Sequence, residues 1–131
     1  MDQGPLVIEQ IDAGGRFLAE FEKYAPVRVA FWLKDSEGRW NLYVASDQVD
    51  DNNVDVAYGE VLRIAGQMRD PNFDPFQVKL IGAADPLANQ VVAIRDRYPG
   101  RSPTRYHGHQ LGGVSIEEAY IYPSPVTALG R

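Results

Sequence analysis

Residues 27–46 decide the fold, and they read VRVAFWLKDSEGRWNLYVAS. Two alternating runs, 27–34 and 39–46, flank the segment Asp35-Ser36-Glu37-Gly38, whose residue types favour a tight turn. The pattern predicts a β-hairpin closed by this four-residue segment. Closing the turn aligns three apolar pairs on one face, namely Leu33 with Trp40, Phe31 with Leu42 and Val29 with Val44.

The opposite face of the predicted hairpin is half polar and carries Trp32 and Tyr43. Aromatic residues on such a face indicate either a subunit contact or a second packed layer from the same chain. We therefore expect self-association, or binding of a protein partner, through the hairpin face of Trp32 and Tyr43. The alternative is that helices of the same chain cover these two residues.

Three helices are predicted around the hairpin. An apolar stripe predicts the first over residues 16–25, where the pair Gly14-Gly15 weakens the start. Apolar residues at steps of three and four predict the second over 54–69. The third is bounded by Asp85-Pro86 and Pro99-Gly100, because Asp is a good N-cap and Pro suits the first helical position.

Two further segments are predicted as strands. Alternation over residues 76–81 indicates one of them. Residues 116–122 combine a capping-box pattern with β-favouring tyrosines, and we interpret them as a strand. The chain is therefore expected to form a single α+β domain over residues 1–131. Its sheet should be mixed or largely antiparallel, with four to five strands and with three helices packed mostly on one face.

Composition restricts the class of protein. The chain has 131 residues, 44% of them hydrophobic and 24% charged, as in an ordinary globular domain. It has no cysteine, which excludes disulfides, thiolate nucleophiles and zinc–thiolate sites and fits a reducing compartment. The N-terminal residues lack the layout of a secretory signal, and no apolar run is as long as a membrane span. We expect a cytoplasmic protein without membrane contact.

Charge is unevenly distributed along the chain. The net charge of −5 argues against a general affinity for nucleic acid. Residues 1–60 nevertheless hold 12 acidic and 5 basic side chains, whereas residues 61–131 hold 6 and 8. The basic excess is local, and it consists of Arg95, Arg97, Arg101 and Arg105. A solvated helix end and loop explains such a cluster, and an anion site is the functional alternative.

The only two histidines, His107 and His109, lie beside this basic cluster. On an extended strand both imidazoles would point to one face and could share a metal ion. A site needs at least a third ligand, and Asp50 and Asp51 are the candidate donors. Gly108 between the histidines favours a bend that would separate them. The alternative interpretation makes both histidines polar surface groups.

Three functions follow as hypotheses. The first is a small interaction or regulatory module without catalysis and without a cofactor, which could act as a homodimer. The second is a metal-assisted hydrolase of phosphate esters, with His107 and His109 as ligands of a divalent ion and Arg105 holding the anion. The third is an RNA-binding module that uses the basic segment 95–109, in which Arg101 and Arg105 would contact phosphate.

Overall fold

The computed structural model describes the backbone of residues 6–35, 37–97, 104–107, 110–111 and 114–123, and the side chains of 6–35, 37–97 and 118–123. The helices are α1 (Ile8–Phe21), α2 (Val54–Met68) and α3 (Pro86–Arg97). The strands are β1 (Val29–Asp35), β2 (Trp40–Ser46), β3 (Val78–Gly82), β4 (Thr104–His107), β5 (Gln110–Leu111) and β6 (Val114–Ile121). A 3-10 helix, Pro75–Gln77, directly precedes β3.

The strands form a mixed sheet in the order β3-β2-β1-β6-β4, and the short β5 pairs with β6. Strand β3 runs parallel to β2, whereas all other pairs are antiparallel. The crossover from β2 to β3 passes through α2, as a parallel connection requires. The predicted α+β class and mixed sheet are confirmed.

Helices cover both faces of this sheet. The front face packs against α1 and α2, and its buried side chains include Ala30, Trp32, Leu42, Val44 and Tyr122. The back face packs against α3, and its buried side chains include Val29, Phe31, Leu33, Ala45 and Ile121. Two of the three helices therefore share the front face, in agreement with the prediction that they pack mostly on one side.

The predicted register of the hairpin is wrong by one residue. Trp32 lies opposite Leu42 and Phe31 opposite Tyr43, so Trp32 and Tyr43 occupy different faces. The turn causes this shift. The Asp35 N–H donates to the Arg39 carbonyl, so the loop between the two strands has three residues instead of the predicted four. Gly38 has φ 80°, the left-handed conformation that three-residue hairpin loops require at this position.

Helix α1 begins eight residues before the predicted start and contains both glycines. A Cβ at Gly14 would collide with the hydroxyl of Tyr122 and would touch the Trp32 ring at 3.4 Å. Each glycine costs helix propensity of roughly 1 kcal/mol relative to Ala. Here the missing side chain lets α1 approach the sheet closely, and tertiary packing outweighs propensity.

The predicted third strand begins two residues late, at Val78. Asp74 accepts a hydrogen bond from the Phe76 N–H at 2.9 Å, and Pro75 occupies the first position of the 3-10 turn. The chain therefore turns at Phe76 before it becomes extended. The Phe76 ring leaves the strand alternation and is 81% exposed.

The other predicted elements are confirmed. Helix α2 begins after Asn53 at the predicted residue and ends at Met68, one residue before the predicted end. Helix α3 begins at Pro86, where the Asp85 carboxylate accepts from the Leu87 N–H at 2.9 Å, and its predicted stop at Pro99-Gly100 lies outside the described residues. The segment near the C-terminus forms strand β6, between β1 and β4.

Candidate functional site

Part of the histidine and arginine segment, strand β4, lies at one edge of the described sheet. Arg105 and His107 belong to β4, where they pair in register with Tyr120 and Glu118 of β6. His109 and Arg101 lie outside the described residues. Convergence of the two imidazoles on an ion, or of the two arginines on an anion, therefore stays a prediction.

Asp50 and Asp51 do not join His107. Glu118, the partner of His107, pairs with Lys34 next to the hairpin turn, whereas Asp50 follows the opposite end of β2. Six residues of β2 span about 20 Å, far beyond the reach of a shared metal ion. Among the described side chains, no three His, Asp or Glu residues are grouped as a metal site would need.

Asp50 has a structural role instead. Its carboxylate accepts hydrogen bonds from the backbone N–H groups of Asn52 at 2.8 Å and Asn53 at 3.1 Å. Asn53 in turn accepts from the Asp50 N–H at 2.9 Å and donates to the Gln48 carbonyl at 2.6 Å. These bonds shape the turn that precedes α2, which is the usual use of Asp and Asn in such loops.

Arg95 of the basic segment is also committed to structure. Its guanidinium donates to the carbonyl of Arg28 at 2.9 Å and lies 3.5 Å from the Asp96 carboxylate. Its side chain is only 15% exposed. Arg95 therefore attaches α3 to the start of β1, and it is withdrawn from the surface that the RNA hypothesis needs.

The predicted hairpin face of Trp32 and Tyr43 does not exist as a surface. Trp32 is 1% exposed and lies against α1, where its indole N–H donates to the Tyr122 hydroxyl at 3.0 Å. Tyr43 is half-buried on the back face and stacks on Phe31 with ring centroids 5.4 Å apart. The register shift by one residue is the reason, and the alternative, coverage by the chain's own helices, is correct for Trp32.

An exposed apolar groove follows the edge strand β3. It has a volume of about 390 Å³ and lies between α2 and the start of β3. Its lining side chains include Tyr58, Val61, Leu62, Phe76 and Val78. Phe76 is 81% and Leu62 50% exposed, so the rim of the groove is apolar as well.

The backbone of β3 offers an outward edge beside this groove. The Ala83 N–H donates to the Ser46 carbonyl of β2. Because backbone groups alternate in direction along a strand, the N–H and C=O of Lys79 and Ile81 point toward β2, and those of Leu80 point away from it. The Leu80 N–H is capped by the hydroxyl of Tyr58 at 2.9 Å. The backbone N–H and C=O of Leu80 therefore lie on the side of β3 where the structure describes no further strand.

A polar pocket lies behind the same edge. It has a volume of about 450 Å³, and its lining includes Arg39, Asn41, Tyr43, Gln77 and Lys79. Phe76 and Lys79 border both this back pocket and the front groove. Burial raises the pKa of Tyr43, and the carboxylates of Asp35 and Asp85 raise it further, so this phenol stays neutral.

The charges of the back pocket are unequally paired. Arg39 lies 2.7 Å from Glu37 and 3.7 Å from Asp35, whose carboxylate also lines this pocket and offsets the charge of Arg39. Lys79 is exposed, and within the described residues it has no carboxylate in ion-pair distance. A positive charge is therefore available at the edge strand, between the groove and the pocket.

A third, smaller concavity of about 200 Å³ lies between α1 and β6, lined by Asp12, Arg16, Tyr120 and Tyr122. Tyr122 is fixed there because its hydroxyl donates to the Ile11 carbonyl at 2.7 Å. Burial raises the pKa of Tyr122 far above its usual value, and Arg16 is paired with Asp70. Tyr122 and Arg16 are therefore engaged in contacts within the fold.

The sequence interpretation missed the β3 edge and its groove. Alternation alone places Phe76 in the strand, although Asp74-Pro75 carries the signal for a helical turn at that point, with Asp as cap and Pro at the first position. Tyr58, Leu62 and Lys79 carry no local signal. They come together only because β3 lies beside β2 at the edge under α2.

No described helix has the length and apolar character needed to cross a membrane. Comparisons with family models, with curated proteins and with solved structures find no match to this chain.

Proposed function

We propose that this chain is a small interaction module without catalysis, and that it binds a protein partner along the edge of β3. The observation that carries this proposal is the exposure of Phe76, 81%, beside an apolar groove and an outer strand. A phenylalanine side chain stabilises a protein by being buried, and this ring contributes little of that in the free chain. Partner binding would bury it.

The neighbouring side chains support the same surface. Leu62 of α2 is 50% exposed, and it lines the groove of about 390 Å³ together with Tyr58 and Val61. Protein interfaces are built around such apolar and aromatic anchors with a polar rim. This surface replaces the hairpin face of Trp32 and Tyr43 as the predicted contact. A cytoplasmic location remains part of the proposal.

The hydrolase and RNA hypotheses stay predictions. The hydrolase loses Asp50 and Asp51 as ligands, because they lie at the other end of the sheet from His107. The RNA surface loses Arg95, because its guanidinium binds the chain's own backbone. No contact among the described residues favours either of them over the interaction module.

Selection from a displayed library of random peptides tests the proposal. Selection on the wild-type protein should enrich peptides that bind it, and their affinity for the double variant Leu62→Ser/Phe76→Ser should fall at least tenfold. The matched control is Ile8→Ser on α1, which removes an equally apolar side chain that is 63% exposed. Selected peptides should bind this control like the wild type.

Two results would contradict the proposal. One is failure of the library to enrich any peptide on the folded wild-type protein. The other is a set of peptides that bind the double variant and the wild type equally well.

A further inference from the structure

We propose that the partner is an extended segment rich in carboxylates, which adds to β3 as a new edge strand and displaces the Tyr58 hydroxyl from Leu80. This inference rests on the proposed function and names the partner's conformation and chemistry. It is carried by three features of the same edge: its backbone, the concavities on its two sides, and its charge.

The backbone of β3 suits strand addition. Among the described strands, β3 is the last on its side of the sheet, and Leu80 directs its N–H and C=O away from β2. The Tyr58 hydroxyl already accepts from this N–H at 2.9 Å, in the place where a carbonyl of an added strand would accept. In the free protein, the Tyr58 side chain thus provides the hydrogen-bond acceptor for the outward N–H of Leu80.

The edge also has a concavity on each side. The front groove is apolar, with Val61, Leu62 and Phe76, whereas the back pocket is polar, with Asn41 and Gln77. Successive side chains of a strand point to opposite faces of the sheet. An added strand would place alternate residues in the groove and in the pocket, which is how strand addition obtains specificity. A helix in the front groove would leave the back pocket unused.

Charge selects the residues of the partner. Lys79 borders both concavities, and within the described residues it forms no ion pair. A carboxylate on the back side of the added strand would meet this ammonium group. The expected partner therefore alternates apolar residues, for the groove, with Asp or Glu, for the pocket.

A second copy of this chain is a poorer partner. Antiparallel pairing of two β3 edges centred on Leu80 would make the two Lys79 side chains diagonal neighbours, about 7–8 Å apart on one face. Lysine in an edge strand is a device that opposes self-pairing. Two chains of net charge −5 also repel each other at longer range.

The probe is an acetylated, amidated hexapeptide of alternating valine and glutamate, titrated to millimolar concentration into the ¹⁵N-labelled full chain. We expect chemical-shift changes at the amides of Val78–Gly82. Two control peptides keep the valines. One replaces glutamate by lysine, and the other carries N-methyl groups on alternate backbone amides, which removes the hydrogen bonds of one strand edge.

The control peptides should each bind at least tenfold more weakly than the probe. Lys79→Glu should reverse the preference between the glutamate and lysine peptides. Tyr58→Phe should bind the probe about fivefold more tightly, because the hydroxyl that competes for the Leu80 N–H is gone and one neutral hydrogen bond is worth about that factor. Both substitutions are mild, and the amide spectrum of each variant verifies its fold.

Several results would overturn the inference: no shifts at β3 with millimolar probe, equal binding of the N-methylated peptide, or weaker binding to Tyr58→Phe. These results leave the proposed function standing if library peptides still require Phe76. Peptides that require Phe76 and tolerate N-methylation would show an interaction module that does not add a strand. Absence of any peptide that requires Phe76 would refute both proposals.

Discussion

Trp32 donates a hydrogen bond from its indole nitrogen to the hydroxyl of Tyr122 at 3.0 Å, and both side chains are almost fully buried. The same hydroxyl donates to the carbonyl of Ile11 at 2.7 Å. One oxygen thus connects β1, the residue after β6 and helix α1. This connection explains why Trp32 faces the core, and why the surface for a partner has to be sought elsewhere.

Tyr122→Phe tests this connection. Removal of the hydroxyl leaves the Trp32 N–H and the Ile11 carbonyl buried without their partner, which should lower the free energy of unfolding by about 1–3 kcal/mol. The control is Tyr24→Phe, whose side chain is 39% exposed and should change stability by less than about 0.5 kcal/mol. Urea unfolding of the two variants measures the difference, and equal effects would contradict the assigned role.

Gly14→Ala tests the close approach of α1 to the sheet. Alanine is the better helix former, but its Cβ would overlap the Tyr122 hydroxyl, and overpacking of a core costs about 1–3 kcal/mol. Gly59→Ala in α2 is the matched control, because no atom lies within 4 Å of its added Cβ. Gly59→Ala should stabilise the protein by about 0.5–1 kcal/mol. Stabilisation by both substitutions would show that α1 has room for a side chain.

Phe73 and Phe76 differ in burial, and their substitution should therefore differ in its effect on stability. Phe73 is 8% exposed and stacks on Phe17 with centroids 4.8 Å apart, so Phe73→Ala should cost about 3–5 kcal/mol. Phe76→Ala should change the free energy of unfolding by less than about 0.5 kcal/mol, because the ring is exposed. Thermal or urea unfolding checks both values. A large loss with Phe76→Ala would mean that the ring serves the fold rather than a partner.

Stability should decline at alkaline pH. The pKa of Tyr122 is raised from 10.0 by burial, and that of Tyr43 is raised by burial and by Asp35 and Asp85. Above pH 10 the unfolded chain loses these phenolic protons while the native chain keeps them. Ionisation therefore lowers the free energy of the unfolded state relative to the native state. For Tyr122 the free energy of unfolding should fall by up to about 1.4 kcal/mol per pH unit.

Urea unfolding at several pH values between 9 and about 11.5 measures this decline, because that range extends from below to above the unperturbed tyrosine pKa of about 10. The slope above pH 10 should be clearly smaller in Tyr122→Phe, whereas Tyr43→Phe should keep the share of the slope that belongs to Tyr122. A slope unchanged by Tyr122→Phe would contradict the raised pKa.

Local signals in the sequence predicted most of the fold. Asp85-Pro86 places a cap and a preorganised φ at the start of α3, and the helix begins there. The start of α1 could not be predicted, because Gly14 is favourable only against Tyr122, which lies 108 positions later in the sequence. The hairpin register depends on whether the turn has three or four residues, and residue types alone do not distinguish these lengths. The hydrogen bond from the Asp35 N–H to the Arg39 carbonyl sets the length at three.

The candidate site was much less predictable. Pairing of Asp50 with His107 required knowledge of the strand order, which local patterns do not contain, and that order separates the two residues. Phe76 carried a turn signal in Asp74-Pro75, but its exposure follows from the position of β3 at the edge of the sheet. Tyr58 meets Leu80 only in the folded chain.

The most direct test of a functional β3 edge is a search for intermolecular nuclear Overhauser contacts between the labelled protein and the valine–glutamate hexapeptide. The account predicts contacts from the peptide backbone to the Leu80 amide, at the spacing of neighbouring strands, about 4.7–4.9 Å, together with contacts from valine methyls to Phe76 and Leu62. Contacts confined to other parts of the sheet, or none at saturating peptide, would contradict it.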